Sequence, residues 1–241
     1  MQIAVITGAG RKGGLGFETA RQLGGQGYHV ILAARKDEKR MSSLTEELKA
    51  ENISASSVYV DITDEKSASE AADAVLKEYG KIDVLINNAA YMRAGDTVEN
   101  QNILEVKEVF DTNVIGTWNM TQKFLPLLKK SEHPRIVNVS SGAGSYGDPQ
   151  YGFLHGTMGI PASGYGISKL AVNGLTLKMA KELAQYHILV NAVCPDITDT
   201  FGSGMFGRPV AVSAKSVTWA ALLPDDGPTG GFFRDGEALP W

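Results

Sequence analysis

Short β-branched runs alternate along the chain with longer stretches of helical periodicity. Residues 3–6, 30–33, 58–60, 82–86, 136–139 and 188–193 read as strands. Between them, 16–23, 37–51, 64–79, 102–130 and 163–186 read as helices. Thr63 is the predicted cap of the third, in which Ala68, Ala71, Ala72, Val75 and Leu76 recur at i, i+3, i+4 spacing. Such alternation predicts parallel βαβ units: one α/β domain over residues 1–241, a doubly wound, Rossmann-type parallel sheet with helices on both faces. In such a sheet, ligands lie beyond the carboxyl ends of the strands. Thr7-Gly8, Ala34-Arg35, Asp61, Asn87-Asn88, Ser140-Ser141 and Pro195 occupy those ends and converge on one predicted crevice.

Composition narrows the function classes. Hydrophobic residues make up 43% and charged residues 21% of 241, ordinary for a soluble domain, and no apolar run approaches the ~20 residues a bilayer requires. A net charge of −4 leaves no broad basic footprint, which argues against a nucleic-acid partner. The single cysteine, Cys194, excludes an intramolecular disulfide and a multi-cysteine metal site, and its position predicts a small, inert, buried residue. His29, His133, His155 and His187 lack metal-ligand spacing, and of these His155 alone is a candidate for touching substrate. The first residues carry no cationic leader pattern and read as the first strand of a cytoplasmic protein.

Glycine reaches about 11% of the chain, against a usual ~7%. Gly8-Ala9-Gly10-Arg11-Lys12-Gly13 matches G-x-G-x-x-G between a strand and a helix, where backbone N–H groups and a helix N-terminus can hold a pyrophosphate. No Lys-Ser or Lys-Thr follows, so the loop is not a nucleotide-hydrolysing P-loop. An NAD site expects an acidic residue at the end of the second strand, but this chain has Arg35, which suits a 2′-phosphate. Arg11 or Lys12 could supply a second cation to that phosphate, while Lys36, Lys39 and Arg40 read as a solvated helix start.

Tyr165 and Lys169 stand at i and i+4 on one helix face, so the ammonium can approach the phenol and favour its ionised form. In order along the chain, Thr7-Gly8, Asp61, Asn87-Asn88-Ala89-Ala90, Asn113, Ser140-Ser141, Tyr165-x-x-x-Lys169 and Pro195 together resemble the short-chain dehydrogenase/reductase family. Within it, the basic residues and the tail over 227–241 look most like the NADPH-dependent carbonyl reductases. The resemblance implies NADPH/NADP+ as cofactor and a small-molecule carbonyl substrate. It implies Tyr165 as proton donor, with Lys169 lowering its pKa and binding the nicotinamide ribose. Ser141 would hydrogen-bond the substrate oxygen, and Asn113 would hold the water that links Lys169 to solvent. Asp61 and Ile62 would border the adenine, and Asn88, Ala89 and Ala90 would line the cofactor bed. Pro195 and Ile197 would lie along the nicotinamide, with Thr200 near its carboxamide or the phosphates. Metal is not needed for this chemistry.

Four departures from the family pattern stand out. The glycine loop is longer, with Gly14, Leu15 and Gly16 as its closing part, so which glycines meet phosphate stays open. Ala90 ends the N-N-A-G motif, and Asp196 follows Pro195 where glycine is usual, predicting a strained or altered turn. Tyr165 follows Ser141 by 24 positions, a longer interval than most members have. The extra segment, about 144–161, is expected to form a substrate-side wall or lid, and a substrate loop is expected over about 198–214. Phe201, Met205 and Phe206 could line an apolar pocket there or simply pack. The apolar residues of 102–130 suggest a homo-oligomer, dimer or tetramer, whereas the insertion favours a monomer. Two other functions stay open: a dehydrogenase acting mainly in oxidation, with NAD or NADP, and a non-catalytic NADP(H) sensor.

Overall fold

The computed structural model describes residues 1–35, 37–93, 97–159, 162–200 and 207–241. Strands β1 (Ile3–Thr7), β2 (His29–Ala34), β3 (Ala55–Tyr59), β4 (Val84–Asn87), β5 (Arg135–Val139) and β6 (Leu189–Val193) alternate with helices α1 (Leu15–Gly25), α2 (Glu38–Ala50), α3 (Glu65–Tyr79), α4 (Ile103–Phe110), α5 (Thr117–Leu128) and α6 (Ser163–Leu183). A short pair, β7 (Thr198–Asp199) and β8 (Arg208–Pro209), precedes α7 (Val210–Ala221), and β9 (Phe232–Arg234) and β10 (Glu237–Ala238) close the chain. Among the described residues the main sheet runs β10-β9-β6-β5-β4-β1-β2-β3, parallel except where β10 returns antiparallel to β9. The chain reverses its direction of winding between β1 and β4, and the crevice expected of such a sheet opens there.

Alternation along the strands builds both halves of the core. Ile3, Val5, Ile31, Ala33, Leu85, Ile136 and Val190 face α3, α5 and α6, packing on Ala68, Ala72, Phe124 and Met179. Their neighbours Ala4, Ile6, Val30, Leu32, Val84, Ile86 and Val137 face α1, α2 and α7, packing on Phe17, Leu23, Leu48 and Val217. Strands covered on both faces read as continuous apolar runs, and β1, β4, β5 and β6 are buried throughout.

Several local expectations are corrected. Asp64, not Thr63, caps α3, accepting from the Ser67 amide at 2.7 Å; the Thr63 hydroxyl instead donates to Asp61 at 2.7 Å. The single helix expected over 102–130 is interrupted by a π-helical turn, Asp111–Gly116, between α4 and α5. The substrate loop expected to reach 214 ends earlier, because α7 begins at Val210. Lys36, Phe201, Met205, Phe206 and the last two residues of the expected insertion lie outside the described residues. No helix among the described residues is long and apolar enough to cross a membrane.

Candidate active site

The carboxyl ends of β1 and β4 are stapled by one threonine and one asparagine. Thr7 Oγ1 donates to the Ile86 carbonyl at 3.2 Å and accepts from the amides of Asn88 and Ala89, each at 3.0 Å. Asn88 Nδ2 returns to the Thr7 carbonyl at 2.8 Å. Directly after this staple, Gly8 turns with φ +68°, a left-handed conformation that a side chain disfavours. Gly14 then caps α1, and Gly16 in its first turn packs against Asn88 and Gly8.

A cleft of about 1150 Å³ opens over these strand ends. Gly8, Gly10, Arg11, Gly14, Leu15 and Gly16 form one wall, Asp61, Ile62, Asn88, Ala89 and Ala90 another, and Thr200 reaches in from beyond β6. The Asp61 carboxyl accepts from the Thr63 hydroxyl and amide, which, with Arg35 nearby, hold it below its usual carboxylate range. Arg35 lines the cleft as expected, and so does Arg40, although its sequence position reads as a solvated helix start. Arg40 starts α2 beside Asp37, and its guanidinium approaches Gly10; this neighbour is set by α2 docking on the glycine loop and has no local sequence signal. Lys12 goes elsewhere. Its ammonium pairs with Glu47 of α2 at 2.8 Å and is not among the cleft-lining residues, so of the two loop cations only Arg11 faces the cleft.

Four expected residues stand after β5, in the π turn and on α6; none is among the cleft-lining residues, and Asn113 links α6 to the cleft wall through Tyr91. The Ser141 hydroxyl neighbours the Tyr165 phenol and favours its ionised form, and Lys169 Nζ lies 5.6 Å from the centre of the Tyr165 ring. Lys169 also donates to the Val139 carbonyl at 2.8 Å. Burial dominates both titrations: it pushes the Tyr165 phenol up to about 12, against the pull of Ser141, and the Lys169 ammonium down to about 8. Burial thus penalises the charged forms of both groups.

Asn113 is fully buried, and its side chain is fully engaged. Its Oδ1 accepts from the Tyr91 amide at 2.7 Å, while Nδ2 donates to the Tyr91 carbonyl at 3.0 Å and to Ser168 Oγ at 2.9 Å. Because Tyr91 lines the cleft, Asn113 ties the cleft wall to α6. These bonds fix the Asn113 side chain and, with it, the backbone of the π turn. Among the remaining residues, His29 is sandwiched between the Ser54 and Ser56 hydroxyls, and His133 pairs with Asp225. Cys194 is buried, as expected, and accepts from the Gly142 amide at 3.2 Å.

Pro195 and Ile197 follow β6 but are not among the cleft-lining residues, whereas Thr200 is. The insertion folds back onto the tail. Ser145 Oγ donates to the Pro240 carbonyl at 2.7 Å, and Asp148 pairs with Arg234 at 2.5 Å. Tyr151, also in the insertion, donates its hydroxyl to Asp196 at 2.6 Å. Asp196 does take the unusual turn that its place in the sequence implied, at φ +62°.

This fold and site define a nicotinamide-dependent oxidoreductase of Rossmann type. A family profile described as short chain dehydrogenase matches residues 2–207, and the chain belongs to that family. A short-chain dehydrogenase of Penicillium roqueforti is 35% identical, the match covering 91% of this chain and 88% of the relative. The (+)-neomenthol dehydrogenase of Arabidopsis thaliana is 32% identical over 95% of both chains. Among solved structures, NADPH-bound carbonyl reductase from chicken fatty liver superposes with a TM-score of 0.84, at 26% identity over the full length of both. The relatives act on carbonyl or hydroxyl groups, and the chain is an enzyme of that kind.

Proposed function

We propose that this enzyme reduces a ketone or aldehyde to an alcohol with NADPH, by direct hydride transfer and with Tyr165 as proton donor. The observation that carries this reading is the hydroxyl pair Ser141–Tyr165, with Lys169 one helical turn on, beside a cleft whose open end holds Arg11, Arg35 and Arg40. The residues present fit a dinucleotide. Gly8, Gly10 and Gly16 keep the strand-to-helix turn free of side chains, Asp61 and Ile62 can border an adenine, and the arginines suit a 2′-phosphate.

When bound, NADPH supplies the hydride. As negative charge builds on the carbonyl oxygen, the Ser141 and Tyr165 hydroxyls are placed to donate to it together. A phenol held near 12 stays protonated at neutral pH and is ready to give its proton, which suits the reductive direction. The Lys169 cation one turn away then offsets the phenolate left behind. Asn113 supports this group by fixing the π turn and the Tyr91 backbone.

Salutaridine reductase, chicken carbonyl reductase and an NADPH-bound polyketide ketoreductase, all similar in fold, support a carbonyl substrate. Ile103, Leu104 and Trp118 are more than half exposed on α4 and α5, which supports a subunit contact there; a single ~26 kDa species in sedimentation at micromolar concentration would remove it.

The test of the function is NADPH oxidation across ketones, aldehydes, quinones and diketones by the wild type and Tyr165→Phe. Turnover lost in the variant with NADPH binding kept supports the reading. Tight NADPH binding without turnover on any class, or turnover indifferent to Tyr165, overturns it.

A further inference from the structure

The segment that leaves β6 and carries Thr200 to the cleft is pinned at Asp196 by an unusual set of contacts. Asp196 stands at φ +62°, where a short side chain able to bond locally is tolerated. Its carboxylate accepts from its own neighbour, the Ile197 amide at 2.7 Å, and from the Tyr151 hydroxyl at 2.6 Å. Burial raises its pKa, but these bonds, with Arg234 and Arg208 nearby, outweigh it and keep the group ionised. The bond to Tyr151 is thus charge-assisted, in a partly buried setting where such bonds are strong.

Tyr151 approaches from a rigid base. Its ring is buried, the Arg234 guanidinium lies 5.2 Å from the ring centre, and its amide donates to Asp148 at 3.0 Å. Asp148 is itself fully buried and bound to Arg234. On its other side the same segment is held by Arg208, whose Nε donates to the Pro195 carbonyl at 3.0 Å, and by Thr198 Oγ1, which reaches Ser213 at 2.7 Å. The insertion therefore supplies one jaw of a clamp on residues 195–200, and a single phenolic hydroxyl makes the contact.

We propose that Tyr151, through Asp196, is a positioning residue that fixes the 195–200 segment and with it Thr200 at the cleft. This rests on the NADPH-dependent reading above. If Tyr151 served only as packing, its hydroxyl would be dispensable and phenylalanine would serve equally well.

The experiment compares wild type, Tyr151→Phe, Asp196→Asn, Asp196→Gly and the Tyr151→Phe/Asp196→Gly double variant, with Thr229→Val as a control that removes one tail hydrogen bond elsewhere. Three readouts are taken: amide hydrogen exchange of the peptide spanning 195–200, binding of 2′-phospho-ADP-ribose, which lacks nicotinamide, and kcat at saturating NADPH. Tyr151→Phe is expected to speed exchange in that peptide about tenfold and lower kcat about tenfold, with 2′-phospho-ADP-ribose affinity within about twofold. Asp196→Asn, which can still accept both bonds and tolerates the left-handed turn, is expected to stay within about threefold of wild type. Asp196→Gly should match Tyr151→Phe, and the double variant should lose no more than either alone. Thr229→Val should change none of the three.

Exchange unchanged in Tyr151→Phe, an equal loss in Thr229→Val, or additive losses in the double variant would overturn the proposal. Should Tyr151→Phe not fold, the Asp196 pair decides: Asn kept and Gly lost supports it, and equal behaviour sinks it. The exchange readout needs no turnover, so a failure of the reductase reading, seen as indifference to Tyr165, is distinguishable from a failure of this one.

Discussion

Lys169 Nζ lies 5.6 Å from the centre of the Tyr165 ring and is anchored 2.8 Å from the Val139 carbonyl, so a buried ammonium and a half-buried phenol are held one helical turn apart. Their shifts oppose each other in sign of charge but share one cause. Burial takes the lysine from 10.5 down to about 8 and the tyrosine from 10.0 up to about 12. If a charged Lys169 is needed to offset phenolate, kcat/KM for NADPH should hold below about pH 8 and fall above it as the ammonium titrates. A pH profile flat from 6 to 10 would contradict this.

The same lysine makes a prediction for stability. Between about pH 8 and 10.5 the unfolded chain carries a proton on Lys169 that the folded one has lost, so this group raises stability as pH rises through that window. Below about pH 8 the buried ammonium is a net cost, on the order of 3 kcal/mol at neutral pH. Lys169→Met should therefore unfold at higher denaturant at pH 7 than wild type while losing turnover, and the advantage should shrink toward pH 10. Equal gains at both pH values would show that lysine burial is not the cause.

On the proposed NADPH reading, cofactor choice rests on the arginines that line the cleft. Arg35 stands at the end of β2 and Arg40 at the start of α2, and both line the cleft. A charge-assisted bond to phosphate contributes ~1.5–3 kcal/mol, and the solvent-facing setting of these side chains argues for the lower end. Arg35→Asp should move the ratio of kcat/KM for NADPH over NADH about tenfold toward NADH, and Arg40→Ala should move it by less. The effect should weaken with added salt. An unchanged ratio would remove the phosphate assignment.

How much of this was legible beforehand depended on whether the signal is local. Strands β1, β4, β5 and β6 were readable because each is a short, buried, largely apolar run, as in Ile3–Thr7, whereas β3 alternates between buried and exposed positions and β9 and β10 are only three and two residues long. The pairing of Tyr165 with Lys169 was readable because helical spacing alone brings them together. Helix α7 was not, since Val210–Ala221 mixes Ala, Ser and Val without a clear apolar stripe and starts after Pro209 with no side-chain cap. The π turn at Asp111–Gly116 was hidden because one added residue per turn leaves the apolar period almost intact. Contacts between distant segments had no local signal at all, which is why Arg40 joined the cleft, Lys12 left it for Glu47, and Tyr151 met Asp196 unforeseen.

Asn113 offers a test of structure against chemistry. Its side chain satisfies the Tyr91 amide and carbonyl and Ser168 Oγ in a fully buried place. Replacement by Leu, close in size but without polar atoms, orphans these groups at ~1–3 kcal/mol each, less whatever water recovers. Asn113→Leu should lose several kcal/mol in denaturant unfolding and weaken cofactor binding through the Tyr91 wall. A variant with full stability but no turnover would instead point to a direct part for the side chain in proton transfer.

The lengthened glycine loop can be dissected by comparing two of its glycines. A Cβ on Gly16 would fall 2.5 Å from Asn88 Nδ2 and 3.0 Å from the Gly8 carbonyl, whereas one on Gly13 would meet nothing within 4 Å. Gly16→Ala must push Asn88 off the Thr7 carbonyl, loosening the staple between β1 and β4 beneath the cofactor bed. It should lower stability by ~1–3 kcal/mol and raise the Kd for NADPH tenfold or more. Gly13 sits at φ +70° in open space, so Gly13→Ala faces only the left-handed backbone penalty, ~1–2 kcal/mol. Because Gly13 does not line the cleft, its Kd for NADPH should stay within about threefold of wild type, allowing for a small backbone shift. Fluorescence titration of NADPH with both variants decides the matter. Equal weakening would mean that the loop rearranges as a unit on binding, and that neither glycine alone sets the approach to the phosphates.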